Sequence, residues 1–257
     1  MKVTVLGCGA SLGTPASGGF WGACDPAEPK NARSRASILV QSEKTNILVD
    51  ASYDLRMQLN RVGLNRMDGV LLSHSHSDHI NGLDDLRIFS YHASDLVNVY
   101  SDDETISEII RRWPYLFSGG GEGVYPPCLR THKIGFYQKI SIGDIELGTF
   151  EQEHKTCKTL GFRFGNLAYS VDTVDLNEKS LAHLKGIETW IVDGGGYHNE
   201  NVSTHANLKR VMKWVEILKP KMTYLTVMTT RMDYKTLCGE LPAHIRPAYD
   251  GLEIEVG

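Results

Sequence analysis

Long hydrophobic runs are missing from this 257-residue chain. Gly69-Val70-Leu71-Leu72 is representative of the longest, far short of the roughly 20 apolar residues that cross a bilayer, so a membrane role is not expected. Cysteine is sparse. Cys8, Cys24, Cys128, Cys157 and Cys238 are odd in number, scattered and never spaced as C-x-x-C, which argues against a disulfide framework or a cysteine zinc ribbon. The opening Met1-Lys2-Val3-Thr4-Val5-Leu6-Gly7 lacks the apolar stretch of a signal peptide. Both features lead to the expectation of a reducing, cytoplasmic compartment. No charge of one sign dominates: 27 Lys and Arg stand against 31 Asp and Glu, a net charge of −4, so there is no global pull toward nucleic acid or an anionic membrane. Repeats and linker-like stretches are also lacking. What remains is 41% apolar and 23% charged residues, ordinary for a soluble globular protein. The chain is read as a single domain over residues 1–257.

Short runs rich in Val, Ile and Leu, bounded by turn residues, predict strands at 3–6, 37–41, 46–49 and 69–72. Later candidates lie at 97–100, 139–142, 145–150, 160–164, 167–171, 189–192 and 222–227. Leu208, Val211, Met212, Val215 and Leu218 recur at helical spacing and predict a helix over 206–219, with Thr204 as a cap and Pro220 as a stop. Helices are also expected at 53–62 and 103–113. This mixture predicts packed sheets with helices outside. Two long loops, 7–35 and 115–127, carry Phe20, Trp21, Tyr115, Phe117 and Tyr125; these aromatics either pack the loops down or frame a pocket. Gly7-Cys8-Gly9 after a strand invites a dinucleotide reading, but the third glycine is Gly13 and Pro15 follows where a helix would run, which excludes it.

The chemistry is concentrated in Ser73-His74-Ser75-His76-Ser77-Asp78-His79, directly after the strand ending at Leu72. Four ligand-type side chains within six positions of a loop have no packing rationale, whereas imidazoles and carboxylates are the donor set of zinc and related first-row metals. Asp50 and Asp172 follow strands, where aspartate commonly caps a helix. His154 sits in the polar run Glu151-Gln152-Glu153-His154-Lys155, and His205 stands beside Thr204.

The pattern H-x-H-x-D-H after a buried strand resembles the signature loop of the metallo-β-lactamase superfamily. Its fold is an α/β, αβ/βα four-layer sandwich of two mixed β-sheets flanked by helices. The resemblance implies two divalent ions, Zn²⁺ or Mn²⁺. His74, His76, His154 and Asp172 would hold the first, and Asp78, His79 and the shared Asp172 the second, with Asp50 supporting the loop from behind. Ser203-Thr204-His205-Ala206-Asn207-Leu208 is similar to the phosphonate-utilisation phosphodiesterase branch. That implies hydrolysis of a small phosphodiester, cyclic phosphate or nucleotide by a metal-bound hydroxide. Asp78 would orient the hydroxide, and His205 would contact the phosphate or protonate the leaving oxygen, aided by a helix start.

Two departures qualify the resemblance. The family's last metal histidine follows a late strand in a pattern like L-T-H, but here the stretch is Leu225-Thr226-Val227, and valine cannot ligate. The second ion is therefore expected to bind more weakly. A structural zinc held by clustered cysteines and a histidine is not expected, because only Cys24 remains near that loop and Thr230 replaces the histidine. Thioester or lactone hydrolases of the same fold use the same loop, and a non-catalytic metal-binding protein is kept open by Val227. Lys30, Arg33 and Arg35 form only a small basic cluster without a basic arm, which argues against RNA as substrate. A homodimer is compatible with the sequence.

Overall fold

The computed structural model describes residues 1–257 except Glu122, Thr156 and Val202. Its first sheet is built from β1 (Lys2–Gly7), β2 (Ser37–Gln41), β3 (Asn46–Val49), β4 (Gly69–Leu71), β5 (Val97–Ser101) and β6 (Leu129–Lys133), with the last strand, β14 (Glu253–Glu255), added beside β1. The order is β14-β1-β2-β3-β4-β5-β6. Pairing is antiparallel from β14 to β3 and parallel from β3 to β6.

The second sheet holds β7 (Lys139–Ile142), β8 (Ile145–His154), β9 (Cys157–Phe164), β10 (Leu167–Ser170), β11 (Thr189–Asp193), β12 (Met222–Thr226) and β13 (Ile245–Pro247). It runs β13-β12-β11-β10-β9-β8-β7, parallel from β13 to β10 and antiparallel from β10 to β7. The two-sheet sandwich expected from the sequence is thus present.

Alternation along each strand explains the layering. Val3, Val5, Ile38, Val40, Ile47, Val49 and Leu71 join one core with Phe150, Leu160, Phe162, Tyr169, Ile191 and Leu225 of the other sheet. The intervening Leu6, Leu39, Leu48, Val70 and Leu72 face a second core with Leu55, Leu59, Ile80, Leu83 and Phe89. These last belong to the outer layer of α1 (Leu55–Val62), α2 (Ser77–Ile80), α3 (Arg87–Ala93) and the turn between them. Strands buried on both faces read as continuous apolar runs, which is why they were visible in the sequence.

On the same side lie α4 (Asp103–Arg112) and α5 (Pro114–Ser118); along the second sheet run α6 (Glu178–His183), α7 (Leu208–Leu218) and α8 (Tyr234–Glu240). The predicted boundaries shift for local reasons. The Asp102 carboxylate accepts from Thr105 N at 2.7 Å and starts α4. Asn207, not Thr204, caps α7 by accepting from Arg210 N at 2.9 Å, so His205 lies in the turn before the helix and not in its first turn. β8 runs four residues beyond the predicted end and terminates at His154 itself. The second long loop opens with α5, and its Glu122 is outside the described residues.

Candidate metal centre

Side chains with ligand chemistry collect where strands of both sheets end, the edge at which open α/β sheets place their ligands. Asp50 follows β3, the loop 73–79 follows β4, His154 closes β8, Asp172 follows β10, and Asp193 ends β11. Asp50 and Asp172 turn the chain with φ of +63° and +48°, a conformation aspartate tolerates better than most residues.

The predicted residues converge. His74, His76, His154 and Asp172 present ligand atoms within 4.8 Å of one another, and so do Asp78, His79 and Asp172. Asp172 joins the two groups. Its Oδ2 lies 3.6 Å from His74 Nε2 and 3.4 Å from His154 Nε2, while its Oδ1 lies 3.4 Å from His79 Nε2. Asp78 Oδ2 is 3.4 Å from the same His79 nitrogen. The ring centroids of His74 and His76 are 4.4 Å apart.

Three of the four imidazoles, those of His74, His79 and His154, are aimed by a bond behind them. Buried Asp50 accepts from Ser73 N at 2.8 Å and Ser73 Oγ at 2.9 Å, and it binds His79 Nδ1 at 2.7 Å. Ser73 Oγ in turn meets His74 Nδ1 at 2.9 Å. His154 Nδ1 donates to the Thr204 carbonyl at 2.6 Å. All three Nε2 atoms are thereby turned inward, as outer hydrogen bonds do for metal-ligating histidines. Behind Asp172, the Thr159 hydroxyl donates to its carbonyl at 3.1 Å, and Gln152 Nε2 donates to Val171 O at 3.0 Å.

Two atoms test whether a cation fits. His74 Nε2 and Asp172 Oδ1 are buried with no hydrogen-bond partner. Such orphaned groups are costly, and both face the gap between the imidazoles. Burial and neighbouring imidazoles hold His74 well below the usual histidine range, and burial lowers His76, leaving neutral rings able to ligate. For His79, burial opposes the charge but Asp172, Asp50 and Asp78 outweigh it and push the imidazole well up. Burial likewise disfavours the Asp172 carboxylate, yet His79 above all, with His74 and His205, holds it well below the ordinary range. The donor set therefore fits divalent cations, with His79 surrendering its proton to one.

Sequence reasoning missed Asp193. Fully buried, it accepts from Thr173 N at 3.0 Å, from Gly195 N at 2.8 Å and from His205 Nδ1 at 2.9 Å. The first of these ties it to the residue after Asp172. Burial pushes Asp193 up; His205, despite partial burial, is pushed up to about 9 by Asp193 first, then Asp172 and Asp78. A third candidate group, Asp172, Asp193 and His205, results. The available signal was an aspartate closing an apolar strand, as at Asp50, here followed by Gly194-Gly195-Gly196.

Val227 follows β12 with φ of +57° and is buried, so no ligand comes from that strand end. A side chain at Gly195 would place Cβ 2.7 Å from Val227 O and 3.4 Å from His205 Cγ. Cys24 Sγ meets Thr230 O at 3.4 Å. His198 turns to Glu240 at 3.2 Å, and His132 to Asn98 at 2.8 Å. The expected basic cluster disperses: Lys30 rests on the rings of Tyr234 and Tyr249, Arg33 is buried, and Arg35 pairs with Asp54.

A paired-sheet sandwich carrying imidazoles and carboxylates at its strand ends defines the metallo-β-lactamase fold class. The chain belongs to that superfamily: the profile described as "Beta-lactamase superfamily domain" matches residues 45–227. A crystal structure of a diphosphatase from the PhnP family is 28% identical, with a TM-score of 0.88 over 98% of this chain and 96% of that one. An octanoyltransferase of Porphyromonas gingivalis is 28% identical over 98% of this chain but 51% of its own length. A ribonuclease Z of Bradyrhizobium is 29% identical over 53% of this chain and 46% of its own. The chain thus spans about half the length of these curated relatives. The ribonuclease Z similarity removes the ground for setting RNA aside. Among the described residues, no helix is long and apolar enough to cross a membrane.

Proposed function

We propose that this chain is a metal-dependent hydrolase of phosphodiesters, acting on a small phosphodiester, a cyclic phosphate or a nucleotide, with RNA among the substrates to be tried. The observation that carries the reading is the placement of Asp172, whose two oxygens face separate groups of imidazoles, the disposition of a carboxylate shared by two cations. His74, His76 and His154 would hold one ion and Asp78 and His79 the other, with zinc and manganese both matched to nitrogen and oxygen donors. Divalent ions there supply Lewis acidity and a water acidified to near-neutral pKa.

The chain's own groups do the rest. Asp78 accepts a hydrogen bond from the attacking water and sets its direction. His205 gives its Nδ1 proton to Asp193 as a hydrogen bond, which leaves Nε2 to contact the phosphoryl oxygens and protonate the leaving oxygen. Similarity to a PhnP-family diphosphatase and to ribonuclease Z supports phosphate as the electrophile. Similarity to a protein named octanoyltransferase favours a second reading, hydrolysis of an acyl thioester at the same site. Turnover of bis(p-nitrophenyl) phosphate with Mn²⁺ or Zn²⁺ separates the two from an aryl thioester substrate. Activity on the diester no greater than that of His76→Ala overturns the first reading; two bound ions with no turnover of either substrate leave a binding protein.

A further inference from the structure

The loop that follows the candidate ligands leads straight into a second feature. Five residues after His79 stands Asp84, at most about 17 Å away by chain reach. With Arg87, Tyr115, Gly120, Gly121 and Tyr125 it lines a cleft of about 430 Å³. The same wall is tied to the metal loop from the other side: Arg112, at the end of α4, lies 3.4 Å from Ser77 Oγ, and Tyr115 follows three residues later.

The cleft is organised before any ligand arrives. Asp84 accepts from the Tyr115 hydroxyl at 2.6 Å through one oxygen and from Arg87 Nη2 at 2.6 Å through the other. Arg87 Nε adds a bond to the Asp84 carbonyl at 3.2 Å. The guanidinium is thereby fixed as a plate, with Nη1 free of these bonds. Burial and the bond to Asp84 push the Tyr115 phenol up to about 12, so it stays neutral. Opposite, residues 120 and 125 exchange two backbone hydrogen bonds of 2.9 and 3.0 Å. Gly121 takes φ of +59° and Gly123 φ of +93°, and Tyr125 is 51% exposed. Among the described residues, Gly120 and Gly121 contribute only backbone to the lining between Tyr125 and Arg87.

A phenol ring, a planar guanidinium with free donors and a flat backbone floor suit a flat ring carrying hydrogen-bond acceptors at its edge. We propose that this cleft receives the nucleobase of a nucleotide substrate whose phosphate lies at the metal centre; the proposal rests on the phosphodiesterase reading and narrows it to nucleotide-bearing esters. Arg87 would donate from Nη1 to the base edge while Tyr125 stacks on its face, and Tyr115 would close the far wall.

The test compares adenosine 5′-monophosphate with ribose 5-phosphate by calorimetry on the metal-loaded protein. The mononucleotide should bind at least tenfold more tightly. Tyr125→Ala and Arg87→Ala should each bring the ratio toward one, and Tyr125→Phe, which keeps the ring, should preserve it. Phe20→Ala, an exposed aromatic in the other long loop, should change neither affinity. Equal binding of the two phosphates, no detectable binding of either, or a ratio untouched by Tyr125→Ala overturns the proposal. Hydrolysis of bis(p-nitrophenyl) phosphate is read separately. Diester turnover with no base discrimination removes the cleft and leaves the phosphodiesterase; base discrimination without turnover does the reverse.

Discussion

Val227 occupies a backbone conformation that β-branched residues avoid. Its φ of +57° places it in the left-handed region, at a cost on the order of 1–3 kcal/mol, with no polar contact from its side chain to offset it. The adjoining strand end carries Asp193, opposite Thr226, the residue before Val227, in the β11–β12 ladder. Histidine tolerates positive φ better and would supply the missing donor. Val227→His should therefore raise the second ion's affinity about tenfold or more, read as metal retained per chain by mass spectrometry after dialysis; no gain in retained metal would show that another group already completes that shell. Asp193 makes the complementary case. With its hydrogen bonds directed at Thr173, Gly195 and His205, it would act through His205. Asp193→Asn keeps the shape but exchanges a charged acceptor for an amide. It should lower kcat about 10²-fold or more while metal content stays unchanged; lost metal instead would make Asp193 a ligand.

At the scale of elements, the site depends on how tightly the turns after β11 and β12 stack with His205, just ahead of α7. Gly195 is where they touch, because any Cβ there would meet the Val227 carbonyl at 2.7 Å and the His205 ring at 3.4 Å. Gly195→Ala should cost about 1–3 kcal/mol through overpacking and displace His205, seen as a lowered Tm and a fall in turnover larger than the fall in metal binding. Much of this architecture was legible in the chain. Asp50, the cluster at 74–79 and Asp172 announced themselves as polar residues ending apolar runs, and the doubly buried strands gave those runs their length. His154 was readable only through its order relative to the others, since its strand outlasts its apolar stretch and ends in a polar one. Asp193 carried the same strand-end mark but owes its role to His205, twelve residues on, a pairing no local pattern encodes. β13 and β14 have three residues each, too few for periodicity to register. The start of α7 was misplaced because Thr204 and Asn207 are both competent caps, and only the fold decides which one meets the free N–H groups.

For the whole molecule, the candidate metal centre draws its residues from both sheets. Asp50 and residues 74–79 come from the first, His154, Asp172 and Asp193 from the second. Elsewhere the halves meet through apolar packing and a few hydrogen bonds, such as Ser42 Oγ to Asp144 at 2.6 Å, which need no cation. Ions bound at roughly a hundred times their dissociation constant add about 2.7 kcal/mol, equivalent to roughly 5–10 °C in Tm for a chain of this size. Treatment with EDTA should therefore lower Tm by that amount and leave the unfolding cooperative. The pH dependence follows from His79, whose folded-state pKa is raised because Asp172, Asp50 and Asp78 outweigh its burial. Without metal, the stability from that protonated imidazole is fully present below the ordinary histidine pKa. It is lost as pH rises through the raised value, so the stripped protein weakens toward alkaline pH. With metal, the ion replaces the proton, and its affinity grows as protons become scarce. The two trends oppose each other, and the gap in Tm between loaded and stripped protein should widen steadily from pH 6 to pH 8.5. A gap that stays constant, or narrows, across that range would mean that no proton is exchanged for metal and that His79 lies outside the coordination shell.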